Sequence, residues 1–272
     1  MDTPPISVII PTYNRAHCIT DSVMSVLGQT YENLECIVVD DASTDNTEEK
    51  ISAIDDSRLK YYRLSQNSGV AKARNTGAEL AAYDIIAFND SDDSWRPEKL
   101  KRQIEYRNAH PDDILIYSAY ERSRFGPTQR VPSEQYELEI LNGYIYPYLL
   151  QNNSIGTVTM LMDKALFFQL GGFDSTYPAL EDWQFALKAA KTGTIGYIND
   201  ILVDTYRNDN RISLSNANYY TARCMLIAEH IDNIQKFGLF DIITLNILKD
   251  AETNGILEPV KKLMIHYLMP QN

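Results

Sequence analysis

Four short apolar runs punctuate the first third of the chain: "ISVIIP" (6–11), "LECIVVDD" (34–41), "LKYYRL" (59–64) and "DIIAFND" (84–90). Runs of this length, rich in β-branched residues and without polar alternation, are what strands buried on both faces require. The stretches between them have helical spacing. Ile19, Val23, Val26 and Leu27 follow the first run, with Asn14 as a candidate cap. Asp45 and Glu48 stand at capping-box spacing ahead of Ile51 and Ile54. "NSGVAKARNTGAELAA" (67–82) reads as a loop and then a helix. Its buried side, Val70, Ala73, Gly77, Ala78 and Ala81, is small enough to lie close against a sheet. Alternating strands and helices imply right-handed βαβ units, a parallel sheet and an α/β fold. Ligands in such sheets bind beyond the carboxyl ends of the strands. Three polar clusters fall at those ends: Thr12-Tyr13-Asn14, Asp40-Asp41, and Asn89 through Asp93.

The remainder is written less regularly. A helix with Leu100 and Ile104 is expected after Pro97, and strands at "ILIYSAY" (114–120) and "TVTMLM" (157–162). "IGYINDILVDTYR" (195–207) holds one or two more. Helices are expected over "DKALFFQLG" and "EDWQFALKAAKTG" (181–193), while 121–156 reads as irregular. From Asn218 onward the pattern is helical, over Tyr219–Phe237, Asp241–Asn254 and Pro259–Leu268. The expected division is a main unit over 1–210 and a helical appendage over 211–272.

A formal net charge of −12 argues against a nucleic-acid partner, which needs clustered Lys and Arg. Cys18, Cys36 and Cys224 are odd in number and form no metal-binding pattern, as in a reducing, cytoplasmic setting. "MDTPPISVII" has no basic region or long apolar stretch, so no signal peptide is expected. No run approaches the roughly 20 apolar residues of a membrane span. On the last helix Leu263, Met264, Tyr267 and Leu268 stand beside Lys261 and Lys262. Such a surface docks on the rest of the chain or touches a membrane's inner face peripherally.

Four stretches carry chemistry. In "NDSDD", Asp90 and Asp92 lie one residue apart just past a strand. A hard cation such as magnesium takes one or two carboxylates and fills its shell with water and phosphate oxygens, so the pair could clasp a metal–diphosphate. The plainer alternative is an acidic turn capping the next helix. In "VVDDAS", Asp40 or Asp41 could accept ligand N–H or hydroxyl groups, or build a local turn. An acid pair at a strand end also occurs in receiver-type signalling domains, though there it follows the first strand and here the second. In "NSGVAKARNTG", Lys72 and Arg74 could reach a phosphate or form a solvated basic face. In "ALEDW", Glu181 and Asp182 open a helix, where the dipole favours the ionised carboxylate that a general base needs.

Together "SVIIPTYNR", "SVLGQTYENLECIVVDDASTDNT", "NSGVAKARNTG", "IIAFNDSDDSWRPEKL", "GGFD" and "LEDWQFALKAAKTG" run in order over about residues 5 to 207. In that order they resemble glycosyltransferase family 2, whose GT-A fold is a Rossmann-like nucleotide-binding sheet with flanking helices. Residues 1–210 would then be the catalytic domain and 211–272 its C-terminal helical appendage. The resemblance implies an inverting transferase that moves a sugar from a nucleotide-diphosphate sugar, most often a UDP-sugar. The acceptor would be a hydroxyl of a saccharide or lipid-linked saccharide, in the synthesis of cell-surface polysaccharide or glycoconjugate. It implies that Pro11, Thr12 and Tyr13 line the nucleobase pocket and that Asp41 reads the base. Arg74 would lie near the nucleotide, with Asn75 supporting that helix start. Asp90 and Asp92 would hold Mn2+ or Mg2+ on the diphosphate, supported by Asp93. Gly172, Phe173, Asp174 and Trp183 would border the donor sugar and acceptor. Asp182 would be the catalytic base, with Glu181 beside it. Two departures stand out. Asn89 replaces the usual apolar residue, and "YRNDNRISLS" lacks the histidine common after the last core strand. Arg207, Arg211 or Asp209 would make the phosphate contact instead. A catalytically silent sugar-nucleotide-binding protein on the same fold is the alternative reading.

Overall fold

The computed structural model describes residues 3–123, 128–206 and 216–268. Parallel strands β1 (Ile6–Thr12), β2 (Leu34–Asp40), β3 (Leu59–Arg63) and β4 (Ile85–Phe88) realise the four apolar runs. Between and after them come α1 (Ile19–Leu27), α2 (Thr47–Ser52), α3 (Val70–Leu80), β5 (Asp93–Trp95) and α4 (Lys99–Ala109). The second half adds β6 (Asp113–Ser123), β7 (Gln129–Val131), β8 (Leu161–Asp163) and β9 (Thr194–Tyr206). Its helices are α5 (Leu138–Leu141), α6 (Tyr146–Leu149), α7 (Lys164–Gln169) and α8 (Glu181–Thr192). The sequence closes with α9 (Asn216–Glu229), α10 (Ile231–Lys236), α11 (Phe240–Thr253) and α12 (Leu257–Leu268).

All strands join one 9-stranded sheet in the order β3-β2-β1-β4-β8-β6-β9-β5, with β7 on β6. The chain steps from β1 outward to β2 and β3, then returns to lay β4 on the other side of β1. That reversal opens a crevice at the carboxyl ends of β1 and β4, where α/β sheets bind ligands. Side chains alternate between two cores. Val8, Ile10, Val38 and Ala87 pack with α1, α2 and α4, and Ile9, Ile37, Val39 and Phe88 with α3, α8 and the C-terminal helices. Gly77 of α3 lies so near the sheet that a Cβ there would meet Ile9 Cγ2 at 2.3 Å, the close approach its small-residue face predicts.

Several expectations fail locally. Asn14 caps no helix, since α1 begins at Ile19. Its amide oxygen accepts from the Thr44 N–H instead (2.7 Å), tying together the loops after β1 and β2. "TVTMLM" is not one strand. Thr157–Thr159 form a 3₁₀ turn in which Thr159 Oγ1 donates to the Gly156 carbonyl (2.7 Å), and only Leu161–Asp163 pair. The expected helix Tyr219–Phe237 breaks at His230.

Candidate active site

An open cleft of about 770 Å³ lies over the carboxyl ends of β1, β2 and β4. Pro11, Thr12, Tyr13, Asp41, Arg74, Asp90, Asp92, Asp93, Glu181 and Asp182 all line it, although they come from segments far apart in the chain. The structure thus brings together the acidic turn after β4 and the acidic start of α8.

Arg74 joins them. It is only 4% exposed. One guanidinium nitrogen donates to Asp90 Oδ1 (2.6 Å) and the other to Glu181 Oε1 (2.7 Å). Charge-assisted bonds from one planar, always-protonated group fix both carboxylates at once. The solvated basic face is therefore overturned at Arg74. Lys72, by contrast, is exposed and does not line the cleft.

The acidic turn does not cap the next helix, because Asp93 opens β5 and α4 starts at Lys99. Its backbone is held from below. Ser22 Oγ donates to the Asp90 carbonyl (2.7 Å), and Asn89 Nδ2 donates to Ser22 Oγ (3.1 Å) and toward the Asp93 carbonyl (3.4 Å). Asn89, the departure from the apolar pattern, is thus a buried tie for the turn. Asp93 Oδ1 accepts the Tyr206 N–H (3.0 Å), linking the turn to β9. At the other strand ends, Asp41 accepts the N–H groups of Ser68 (2.7 Å) and Gly69 (2.8 Å). It thereby anchors the loop that opens α3. Asp40 does not line the cleft; its carboxylate accepts from the Ser43 N–H and the Tyr61 hydroxyl.

Opposite, Leu180 adopts φ 62. That left-handed conformation costs a non-glycine residue roughly 1–2 kcal/mol and turns the chain so that Glu181 and Asp182 head α8. Asp182 Oδ1 accepts the Trp183 N–H (2.7 Å). Desolvation, reinforced by the Glu181 charge and opposed by Arg74, pushes the Asp182 carboxyl up to about 7. A carboxylate poised there is matched to proton abstraction near neutral pH.

Gly172, Phe173, Asp174 and Trp183 are not among the residues lining the cleft. They stand behind its wall. Phe173 packs among Phe88, Phe167 and Phe185, 5.5 Å from the Arg74 guanidinium carbon. Asp174 closes a turn on Thr176. Trp183 is buried and donates its indole N–H to the Leu149 carbonyl (2.7 Å). Asn75 does not cap α3, whose N-cap is Gly69. It clasps the glycine turn, accepting from the Phe173 N–H (3.0 Å) and donating to the Phe173 carbonyl (2.8 Å). Arg207, Asp209 and Arg211 lie outside the described residues. Tyr120, Arg122, Asn153 and Tyr177 line the cleft without any motif to announce them, because β6 and two irregular loops deliver them.

Among the described residues no three His, Cys, Asp or Glu side chains form a ready-made metal cage. The turn after β4 brings two carboxylates to the cleft, Asp90 and Asp92, the number taken by a cation that draws its other ligands from water and phosphate. No described helix is long and apolar enough to cross a membrane.

The profile described as Glycosyl transferase family 2 matches residues 7–168. A relative from Escherichia coli, named UDP-Glc:alpha-D-GlcNAc-diphosphoundecaprenol beta-1,3-glucosyltransferase WfgD, is 31% identical over 92% of this chain and 97% of its own length. Other curated relatives are longer, and the chain spans from 35% to 65% of them. Staphylococcus aureus TarS 1-349 in complex with UDP-GlcNAc superposes with a TM-score of 0.75 at 23% identity, over 97% of this chain and 79% of that one. The mannosyltransferase PcManGT from Pyrobaculum calidifontis, in complex with GDP-Man and Mn2+, gives 0.69 at 18% identity, over 99% and 86%. With this GT-A architecture and this profile match, the chain belongs to glycosyltransferase family 2 and is a glycosyltransferase.

Proposed function

We propose that the protein transfers a sugar, with inversion, from a UDP-sugar to a hydroxyl of a saccharide or lipid-linked saccharide, in building a cell-surface polysaccharide or glycoconjugate. The observation that carries this reading is the Arg74 bridge, which joins Asp90 on one side of the cleft to Glu181, next to Asp182, on the other. WfgD's name, with its UDP-glucose donor and lipid-diphosphate acceptor, supports the substrate classes.

Pro11, Thr12 and Tyr13 would flank the base. Asp41 would accept a uracil N–H through lone pairs that Ser68 and Gly69 leave open. Asp90 and Asp92 would hold Mn2+ or Mg2+, which when bound neutralises the growing charge on the departing diphosphate. Arg207 and Arg211 would add phosphate contacts. Asp182 would take the acceptor hydroxyl's proton as its oxygen attacks the anomeric carbon. Attack on the face opposite the leaving group inverts that centre. Desolvation and the Glu181 charge would keep Asp182 basic enough for this, with the Arg74 charge opposing them. Gly172, Phe173, Asp174 and Trp183 would shape the sugar and acceptor side from behind. Exposed Ile265, beside Lys261 and Lys262 on α12, would give a peripheral membrane contact near a lipid-linked acceptor.

Thermal denaturation with UDP tests the donor half. UDP should raise the melting temperature in the presence of Mn2+ and far less without it. Asp92→Asn should abolish the difference. Equal stabilisation with and without Mn2+ overturns the metal-dependent reading.

A further inference from the structure

The wall that carries Asp182 is held from α9 by residues that the proposed reaction does not use, Arg223 and Glu229. The segment from Asp174 to Leu180 crosses from the Asn75-clasped turn to α8. Along it Tyr177 lines the cleft, with its ring buried and its hydroxyl pointed outward at α9. That hydroxyl donates to Glu229 Oε2 (2.6 Å), the last residue of α9. Gln184, two residues past Asp182 and 1% exposed, donates its amide to both oxygens of the same carboxylate (3.2 and 3.3 Å). Between them, Trp183 lies under the Arg223 guanidinium, whose carbon stands 4.5 Å from the ring. The residue after Glu229, His230, is buried with its Nδ1 3.0 Å from the Tyr146 hydroxyl at the head of α6, the helix whose Leu149 carbonyl holds the Trp183 indole. Glu229 itself is exposed, yet both of its donors are buried.

A wall with a left-handed Leu180 just before its carboxylates keeps that conformation only where its surroundings over-determine it. Asn75 fixes one end of the wall, and the other end has α9. We propose that α9 is a working part of the active site: Glu229 and Arg223 are positioning residues that clamp Tyr177 and the first turn of α8, and thereby aim Asp182 into the cleft. The clamp rests on Asp182 being the base. It gives the C-terminal helices a task in turnover beyond filling the core.

The test compares Glu229→Ala, Glu229→Gln, Tyr177→Phe and Asp182→Asn in the full chain. UDP release from UDP-glucose or UDP-N-acetylglucosamine gives kcat, and UDP with Mn2+ gives binding. Glu229→Ala should lower kcat on the order of 10-fold, short of the ~10²-fold that a 1 Å misplacement can cost. UDP affinity should stay unchanged, because the donor side is untouched. The acidic limb of its kcat–pH profile should move below the wild-type position as Asp182 gains solvent. Glu229→Gln retains an acceptor oxygen and should recover most of kcat. Tyr177→Phe keeps the ring in the wall and should show the same defect in milder form, which covers the case of a poorly folded Glu229→Ala. Wild-type kcat and pH limb in both Glu229→Ala and Tyr177→Phe, beside an inactive Asp182→Asn, overturn the clamp alone. An active Asp182→Asn overturns the base assignment, and the clamp with it.

Discussion

The two sides of the cleft are built on different principles. The proposed donor side stands on the ends of β1, β2 and β4, neighbouring strands in register: Ile9 faces Ile37 on one flank and Phe88 on the other. Its functional side chains inherit their positions from a rigid sheet. The opposite side is a run of turns, 3₁₀ structure and a strained helix start. Bonds from elsewhere hold it: Asn75 from α3, Arg74 from the same helix, and Glu229 from α9. A sheet end tolerates the loss of one side-chain bond because its backbone ladder persists. A wall hung from side chains does not. Binding should therefore resist mutation on the catalytic side, and turnover should be fragile there.

The sharpest separation of the two comes from one substitution on each. Asp182→Asn should reduce kcat by about 10²–10⁴-fold, the usual worth of a general base, with UDP and Mn2+ affinity near wild type. Asp92→Asn should instead weaken Mn2+-dependent UDP binding. Steady-state kinetics paired with calorimetric titration of UDP reads both. If the two variants lose binding equally, the sides are not functionally distinct.

Arg74 belongs to both sides, so its loss should blur them. Arg74→Met keeps the aliphatic stem against Phe173 and removes the charge. Breaking a buried pair costs about 3–5 kcal/mol, and the partial exposure of Asp90 (26%) and Glu181 (14%) puts this case toward the lower end. Denaturant unfolding should show that loss of stability, and restoring it should not restore turnover. A change within a few tenths of a kcal/mol would mean that solvent carries the two carboxylates unaided.

The same contrast explains what could be read from sequence. Buried parallel strands write continuous apolar runs, so β1, β2 and β4 were visible, and with them Thr12, Asp41 and Asp90. The glycines at 171 and 172 announced a turn, since both have φ well above zero. They did not announce that Phe173 points inward to Phe88 and Phe185. Nor could the burial of Arg74 be seen, because its partners are 16 and 107 residues away and no local pattern encodes such distances. β5 leaves no local trace for the same reason, being three residues paired to Val203–Thr205. Thr157–Thr159 departs from its strand-like composition because β-branched residues favour strands, whereas here the Thr159 hydroxyl satisfies the Gly156 carbonyl three residues earlier and stabilises a 3₁₀ turn.

A smaller effect is expected at the clasp. Asn75→Ala leaves the Phe173 N–H and carbonyl without their partners, at about 1–3 kcal/mol for each buried group left unsatisfied and less where water enters. Gly172→Ala meets two obstacles, φ +64 and a Cβ that would sit 2.8 Å from Asn75 Oδ1. In the double variant the clash with Asn75 vanishes, leaving a tight 3.2 Å approach to Phe167 Cε1 and the roughly 1–2 kcal/mol of left-handed strain. Thermal melts of the two single variants and the double should therefore be less than additive. Strict additivity would show that Asn75 and Gly172 do not touch in solution.

The finest probe is pH. Asp182 stands at about 7 against an ordinary 3.8, so the proton leaves only as pH rises through 7, and kcat should fall as the medium is acidified across that value. Glu181 is the charge that raises it and Arg74 the charge that lowers it. Glu181→Gln should accordingly carry the acidic limb to lower pH, and Arg74→Met should carry it higher. Stability follows the opposite direction from an ordinary salt-bridged aspartate. With its folded value raised, Asp182 contributes most to stability below its unfolded value, and that contribution is lost as pH climbs through about 7. Asp182→Asn should therefore melt higher than wild type near pH 8 and much like it near pH 4. A melting-temperature difference that does not vary between those two pH values would mean that Asp182 is as hydrated as a surface carboxylate, and the catalytic wall no drier than the donor side it faces.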